Sequence, residues 1–77
     1  MERQATRLAD AAASPDPGVG LAAVASLRVL LESLERLQVE RARRQGWSWQ
    51  RIADALGVSR QAAHKKHAAA DVRGGKR

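Results

Sequence analysis

The sequence predicts an all-α fold, with a short N-terminal helix, a long amphipathic helix, a helix-turn-helix and a flexible basic tail, about four helices in all. Two observations support this prediction. Apolar residues recur at three- and four-residue spacing in the middle of the chain, and two glycine-serine corners divide the part that follows into short helical segments. At 77 residues the chain forms one domain at most, so its core is expected to be thin.

Composition limits the possible functions. The chain has no cysteine, which excludes disulfides and thiolate metal sites and makes the cytoplasm the expected location. The first residues, "MERQATRLADAAASPDPG", lack a signal-peptide core, and charged residues interrupt every apolar run before 18 positions. A soluble protein without membrane contact is therefore expected.

The charge is concentrated in one half of the chain. Residues 1–40 carry four Arg against six acidic residues (net −2), whereas residues 41–77 carry ten Arg and Lys against two acidic residues (net +8). A basic segment of this kind is typical of proteins that bind nucleic acid, an acidic membrane surface or an acidic partner.

The N-terminal half is predicted to contain two segments. Residues 1–18 form an arm with a short helix over residues 2–13. The turn-forming stretch "SPDPGVG" (residues 14–20) follows this helix. Residues 19–45 form one long helix, whose apolar side chains share a face that we name the leucine stripe. The stripe is predicted to hold a homodimer; packing against other helices of the same chain is the alternative. It comprises Val24, Leu27, Leu30, Leu31, Leu34 and Leu37.

A first corner is predicted at Gly46, because glycine readily adopts the left-handed conformation that closes a Schellman motif. Ser48 is the predicted N-cap of the next helix. Between these two residues, Trp47 can pack back on Ala42 at the end of the long helix and forward on Ile52 of the next helix, the second contact being a hydrophobic staple.

A second corner follows about ten residues later. The helix "WQRIADAL" (residues 49–56) ends before Gly57, and Ser59 caps a further helix over residues 60–70. Two helices joined by a tight turn containing glycine form a helix-turn-helix, here residues 46–70, with residues 71–77 as a disordered basic tail. Its predicted interior comprises Ile52, Ala53, Leu56, Val58 and Ala63.

The segment "WSWQRIADALGVSRQAAHKKHA" (residues 47–68) resembles the helix-turn-helix of bacterial transcriptional regulators, above all small actinobacterial proteins with a "SWxxIAxALGVSRQAVHKKH" segment, and more distantly sigma-factor region 4. The resemblance covers about a third of the chain. Ala63 departs from the usual valine, and Lys66 stands where many such units have an apolar residue. These departures predict that the end of the last helix packs loosely, with His67 turned inward.

In a helix-turn-helix the second helix lies in the major groove of DNA and the first crosses the backbone. Arg60, Gln61, His64 and Lys65 are therefore the predicted base contacts, with phosphate contact or solvent exposure as the alternative for Arg60 and Gln61. Trp49 either covers the first corner or contacts phosphate. The predicted phosphate contacts are Ser48, Trp49, Gln50, Arg51, Ser59, Lys66, Arg43 and Arg44.

Catalytic and metal sites are not expected. His64, His67 and Asp71 have a spacing that resembles a metal site, but no fourth ligand lies nearby and two lysines intervene. The serines lack a plausible base partner. The predicted function is a sequence-specific regulator that binds double-stranded DNA as a homodimer, without a cofactor. The alternative is a helical interaction module, antitoxin-like or an adaptor, whose N-terminal half binds an unknown protein partner.

Overall fold

The computed structural model describes residues 2–68, which form four α-helices and no strand. They are α1 (Glu2–Ala12), α2 (Pro17–Arg44), α3 (Trp49–Leu56) and α4 (Arg60–His67). The all-α prediction is confirmed. The predicted basic tail and the last two positions of the predicted 60–70 helix lie outside the described residues.

The start of α2 lies inside the segment that the sequence predicts as a turn. The backbone N–H of Gly18 donates to the Asp16 carboxylate (3.0 Å), and Pro17 occupies the first helical position. Proline suits that position because it has no N–H to satisfy and its φ is already helical. The dipeptide Asp16-Pro17 is therefore a helix start, two residues earlier than predicted.

The chain divides into two compact units after Leu34, so that α2 contributes residues to both. In the N-terminal unit, α1 and the first part of α2 approach closely at Gly20, where a Cβ atom would lie 3.4 Å from the carbonyl oxygen of Ala12. Gly20 and Ala23 are buried. Large apolar side chains of this unit remain exposed, namely Val19, Leu21, Val29 and Leu31, at 48–70%.

Helix α2 is long and apolar enough, by length and composition alone, to cross a membrane. The sequence predicts no such segment, because Arg28 and Glu32 interrupt the apolar run. These two charges stand among mostly apolar residues, so the mean hydropathy of the stretch is still high. Core helices of soluble proteins can have the same length and composition, but only 11% of this stretch is buried within the chain.

The leucine stripe is not covered within a single chain. Val24, Leu31 and Leu37 are 38%, 62% and 38% exposed. The other members, Leu27, Leu30 and Leu34, are half-buried. Packing against other helices of the same chain, the alternative to a dimer, therefore covers part of the stripe and leaves the rest exposed.

The C-terminal unit has a compact interior built from α2, α3 and α4. Its buried residues are Val39, Trp49, Ile52, Ala53 and Ala63, of which Ala53 is fully enclosed. Ala42 and Trp47 pack at the edge of this cluster.

The predicted interior is right for Ile52, Ala53 and Ala63 but wrong for Leu56 and Val58, which are 38% and 45% exposed. Leu56 is the last residue of α3 and Val58 lies in the turn, while the buried indole of Trp49 fills the interior from the start of that helix.

Candidate nucleic-acid interface

The first corner fixes the direction of α3 relative to α2. Gly46 has a φ of 88°, in the left-handed region. The N–H of Trp47 donates to the carbonyl oxygen of Ala42 (2.9 Å), and the N–H of Gly46 donates to that of Arg43 (3.0 Å). These are the two hydrogen bonds of a Schellman motif, and they confirm the predicted helix end.

The second corner repeats the same arrangement between α3 and α4. Gly57 has a φ of 74°. The N–H of Val58 donates to the carbonyl oxygen of Ala53 (3.0 Å), and the N–H of Gly57 donates to that of Asp54 (3.3 Å). The helix-turn-helix prediction is thereby confirmed at the level of backbone geometry.

A serine begins the helix after each corner. Ser48 Oγ accepts a hydrogen bond from the N–H of Arg51 (3.1 Å), and Ser59 Oγ accepts one from the N–H of Ala62 (3.0 Å). Both predicted N-caps are confirmed. Their hydroxyl hydrogens remain available as donors toward a phosphate oxygen.

Helix α4 is divided into a buried side and an outward side. Ala63 and His67, four residues apart, face the interior and are 2% and 8% exposed. The inward orientation predicted for His67 is confirmed. The outward side carries the four predicted base contacts, all exposed: Arg60, Gln61, His64 and Lys65.

Glu35 of α2 holds the end of α4 through two basic side chains. Its Oε2 lies 2.6 Å from His67 Nε2 and 3.2 Å from Lys66 Nζ. The hydrogen bond to His67, assisted by Lys66, lowers the pKa of Glu35 below its ordinary value of 4.5, and partial burial opposes this effect. Lys66, predicted as a phosphate contact, is thus also paired within the protein.

Both tryptophans carry an arginine on their ring. The guanidinium of Arg51 lies 3.7 Å from the ring centroid of Trp47, and that of Arg43 lies 4.8 Å from Trp49. Arg43 Nη1 also donates to the carbonyl oxygen of Trp47 (2.5 Å). Part of the donor capacity of Arg43, a predicted phosphate contact, is therefore used inside the protein.

Trp49 belongs to the interior. Only 7% of its surface is exposed, and its ring meets that of His64 edge to face, with centroids 5.2 Å apart. A side chain this buried offers little surface to a phosphate. The phosphate contact predicted for Trp49 is therefore corrected to its alternative, in which Trp49 covers the junction between the helices.

The described part of the C-terminal unit, residues 35–68, has a positive charge surplus. It contains six Arg and two Lys against three acidic residues, net +5. Glu35 is engaged by the end of α4, and Asp54 Oδ1 accepts a hydrogen bond from Gln50 Nε2 (2.9 Å). Gln50 is a predicted phosphate contact, and Arg51 and Arg44, two others, are exposed.

Residues 30–67 match a family model described as a homeodomain-like domain. The match comprises 38 of the 77 residues and includes the last turns of α2 and all of α3 and α4. It supports a helix-turn-helix domain of a DNA-binding kind. No curated protein and no solved structure matches the chain significantly.

Proposed function

We propose that this protein is a transcriptional regulator that binds double-stranded DNA sequence-specifically as a homodimer, with α4 in the major groove. The observation that carries the proposal is the outward side of α4, where four polar side chains are exposed beside two backbone corners that fix the helix direction. The chemistry of these side chains suits base edges. The resemblance to small actinobacterial regulators, carried by residues 47–68, supports the same function.

Arg60 and Gln61 are the first candidates for base readout. An arginine can pair with guanine O6 and N7, and a glutamine with adenine N6 and N7, each pair contributing about 1–3 kcal/mol of discrimination. Both side chains lie in the first turn of α4, the part of a recognition helix that enters the groove first.

Phosphate contacts would come from the residues around the two corners. The start of α3 presents Ser48, Gln50 and Arg51, and the start of α4 presents Ser59. Arg44 and Lys66 add charge nearby. If roughly six phosphates are neutralised, the logarithm of the binding constant for DNA should fall as the logarithm of the salt concentration rises, with a slope of about −5.

The homodimer is supported by the leucine stripe, which keeps apolar surface exposed on a single chain. Two copies joined along this stripe would present two recognition helices. A two-fold arrangement requires an inverted repeat in the DNA, with half-sites about 34 Å apart or a multiple of that distance. We place this dimer in the cytoplasm, bound to the nucleoid.

An interaction module is the second candidate function. The observation that favours it is the exposed apolar surface of the N-terminal unit, since large exposed apolar patches commonly mark binding sites for other proteins. In that case the N-terminal half binds a protein partner and the helix-turn-helix serves as a scaffold. DNA binding distinguishes the two functions.

The test begins with selection of bound sequences from a random duplex pool, followed by fluorescence anisotropy on the selected duplex and on a scrambled one. The wild type should bind the selected duplex better. The double variant Arg60→Ala with Gln61→Ala should reduce the ratio of affinities for the selected and scrambled duplexes about tenfold or more, because two base contacts are lost. Arg28→Ala, which removes one charge from the N-terminal unit, is the matched control. Equal affinity for all duplexes, or a salt slope near zero, would refute the proposal.

A further inference from the structure

We infer that Trp49 is a positioning residue for DNA readout, which holds His64 in one orientation so that His64 reads a guanine in each half-site. This inference rests on the proposed function and deepens it. The geometry that carries it is the edge-to-face contact between the Trp49 and His64 rings, with centroids 5.2 Å apart and planes at 86°.

His64 differs from its neighbours on the outward side of α4. Within the described residues, it alone of the four predicted base contacts has a ring contact with another helix. Arg60, Gln61 and Lys65 are exposed, flexible side chains that lose rotamer freedom when they bind. An imidazole already held against a fixed ring loses less rotamer freedom on binding. Each hydrogen bond that it forms therefore contributes more to recognition.

Trp49 is suited to hold another side chain because it is itself held. It is 7% exposed and packs in the interior with Val39 and Ile52. The Arg43 guanidinium lies 4.8 Å from its ring centroid, and Arg43 is fixed in turn by the hydrogen bond from its Nη1 to the carbonyl oxygen of Trp47. A chain of contacts thus runs from the end of α2 through Trp49 to the outward side of α4.

The chemistry of an imidazole selects the base. A ring N–H is a donor, and the major-groove acceptors are N7 of adenine, O4 of thymine, and both N7 and O6 of guanine. Guanine presents its two acceptors side by side. His64 is therefore expected to favour guanine over adenine and thymine, which each present one acceptor.

The experiment compares base preference, position by position, in the selected half-site. His64→Ala should flatten the preference at one base pair by about tenfold, the scale of one good base contact. Trp49→Phe should reduce the preference at that same base pair, and adding Trp49→Phe to His64→Ala should reduce it no further. The base pairs that respond to Arg60→Ala and Gln61→Ala should keep their preference in both variants.

Trp47→Phe is the matched control, because Trp47 undergoes the same chemical change at the same corner but stacks with Arg51 instead of His64. It should leave the His64-dependent base pair unchanged. Circular dichroism melting shows whether Trp49→Phe is folded. If it is not, Arg43→Gln, which leaves the apolar interior intact, should weaken the same base preference by a smaller factor.

The outcomes separate the inference from the proposed function. If the wild type binds no duplex selectively, both fail. If it binds selectively but His64→Ala changes no base preference, or Trp49→Phe and Arg43→Gln lower affinity equally for every sequence, only the role assigned to Trp49 and His64 fails.

Discussion

The two units of this chain differ in how completely they bury their apolar residues. In the C-terminal unit, helices of only eight residues are closed by a glycine or a serine at their ends, and Ile52, Ala53 and Ala63 are at most 3% exposed. In the N-terminal unit α2 is far longer, yet Leu21 and Leu31 are 70% and 62% exposed.

In this chain the longest helix is therefore not the best buried one. Short helices are marginal alone, and here caps and a small shared interior stabilise them. The long helix needs less local support, but much of the apolar surface of its N-terminal part is exposed. The C-terminal unit is therefore suited to rigid recognition, and the N-terminal unit to association.

The largest expected effect concerns that association. Leu34→Glu places a carboxylate on the leucine stripe, where burial of an unpaired charge opposes contact between two copies. The mass measured by size-exclusion chromatography with light scattering should fall twofold, from dimer to monomer.

Leu21→Glu is the control for this change, because Leu21 is 70% exposed and lies outside the stripe. It should leave the mass unchanged. A wild type that is already monomeric, or a Leu34→Glu variant that remains dimeric, would remove the stripe as an interface.

The next effect is on the stability of the C-terminal unit. Ile52→Ala leaves a cavity at a residue that is 3% exposed, and such truncations cost about 2–5 kcal/mol. Urea unfolding followed by circular dichroism measures the loss. Leu56→Ala, in the same helix but 38% exposed, should cost clearly less. Equal losses would mean that Leu56 is covered in solution and that the described interior is incomplete.

The smallest effect concerns the contact between Glu35 and the end of α4. Glu35→Gln should lower the stability at neutral pH by about 1 kcal/mol, since a charge-assisted but partly exposed interaction is lost. The pKa of Glu35 is lowered in the folded protein, so its contribution is complete above the ordinary value of 4.5 and disappears as the pH falls through the lowered value.

Unfolding of the wild type and the Glu35→Gln variant at several pH values tests this contribution. The difference in stability between them should narrow as the solution becomes acidic. If the difference in stability widened below pH 4.5, the pKa of Glu35 could not be lowered by folding.

The corners could be predicted from the sequence because their physics is local. Gly46 and Gly57 stand where the chain needs a left-handed residue, and Ser48 and Ser59 follow each at the distance that an N-cap requires. The outward position of the predicted base contacts follows from the same local register, once Ala63 is known to face the interior.

Contacts between distant residues could not be predicted in the same way. Glu35 and His67 are 32 residues apart, and no local pattern relates them. Trp49 lies on the same side of α3 as the buried Ile52 and Ala53, but the depth at which its indole is buried depends on how closely the neighbouring helices approach. Leu56 is the last residue of α3 and Val58 lies in the turn, and both remain partly exposed at this edge of the interior.

The repeated corner has a consequence for how this protein could be altered. Backbone hydrogen bonds and two serine hydroxyls close both corners, and within residues 2–68 no hydrogen bond or ion pair of the fold involves the side chains of Arg60, Gln61 or Lys65. These three positions can therefore be exchanged at little cost to the scaffold. A library randomised there should yield many folded proteins with new sequence preferences.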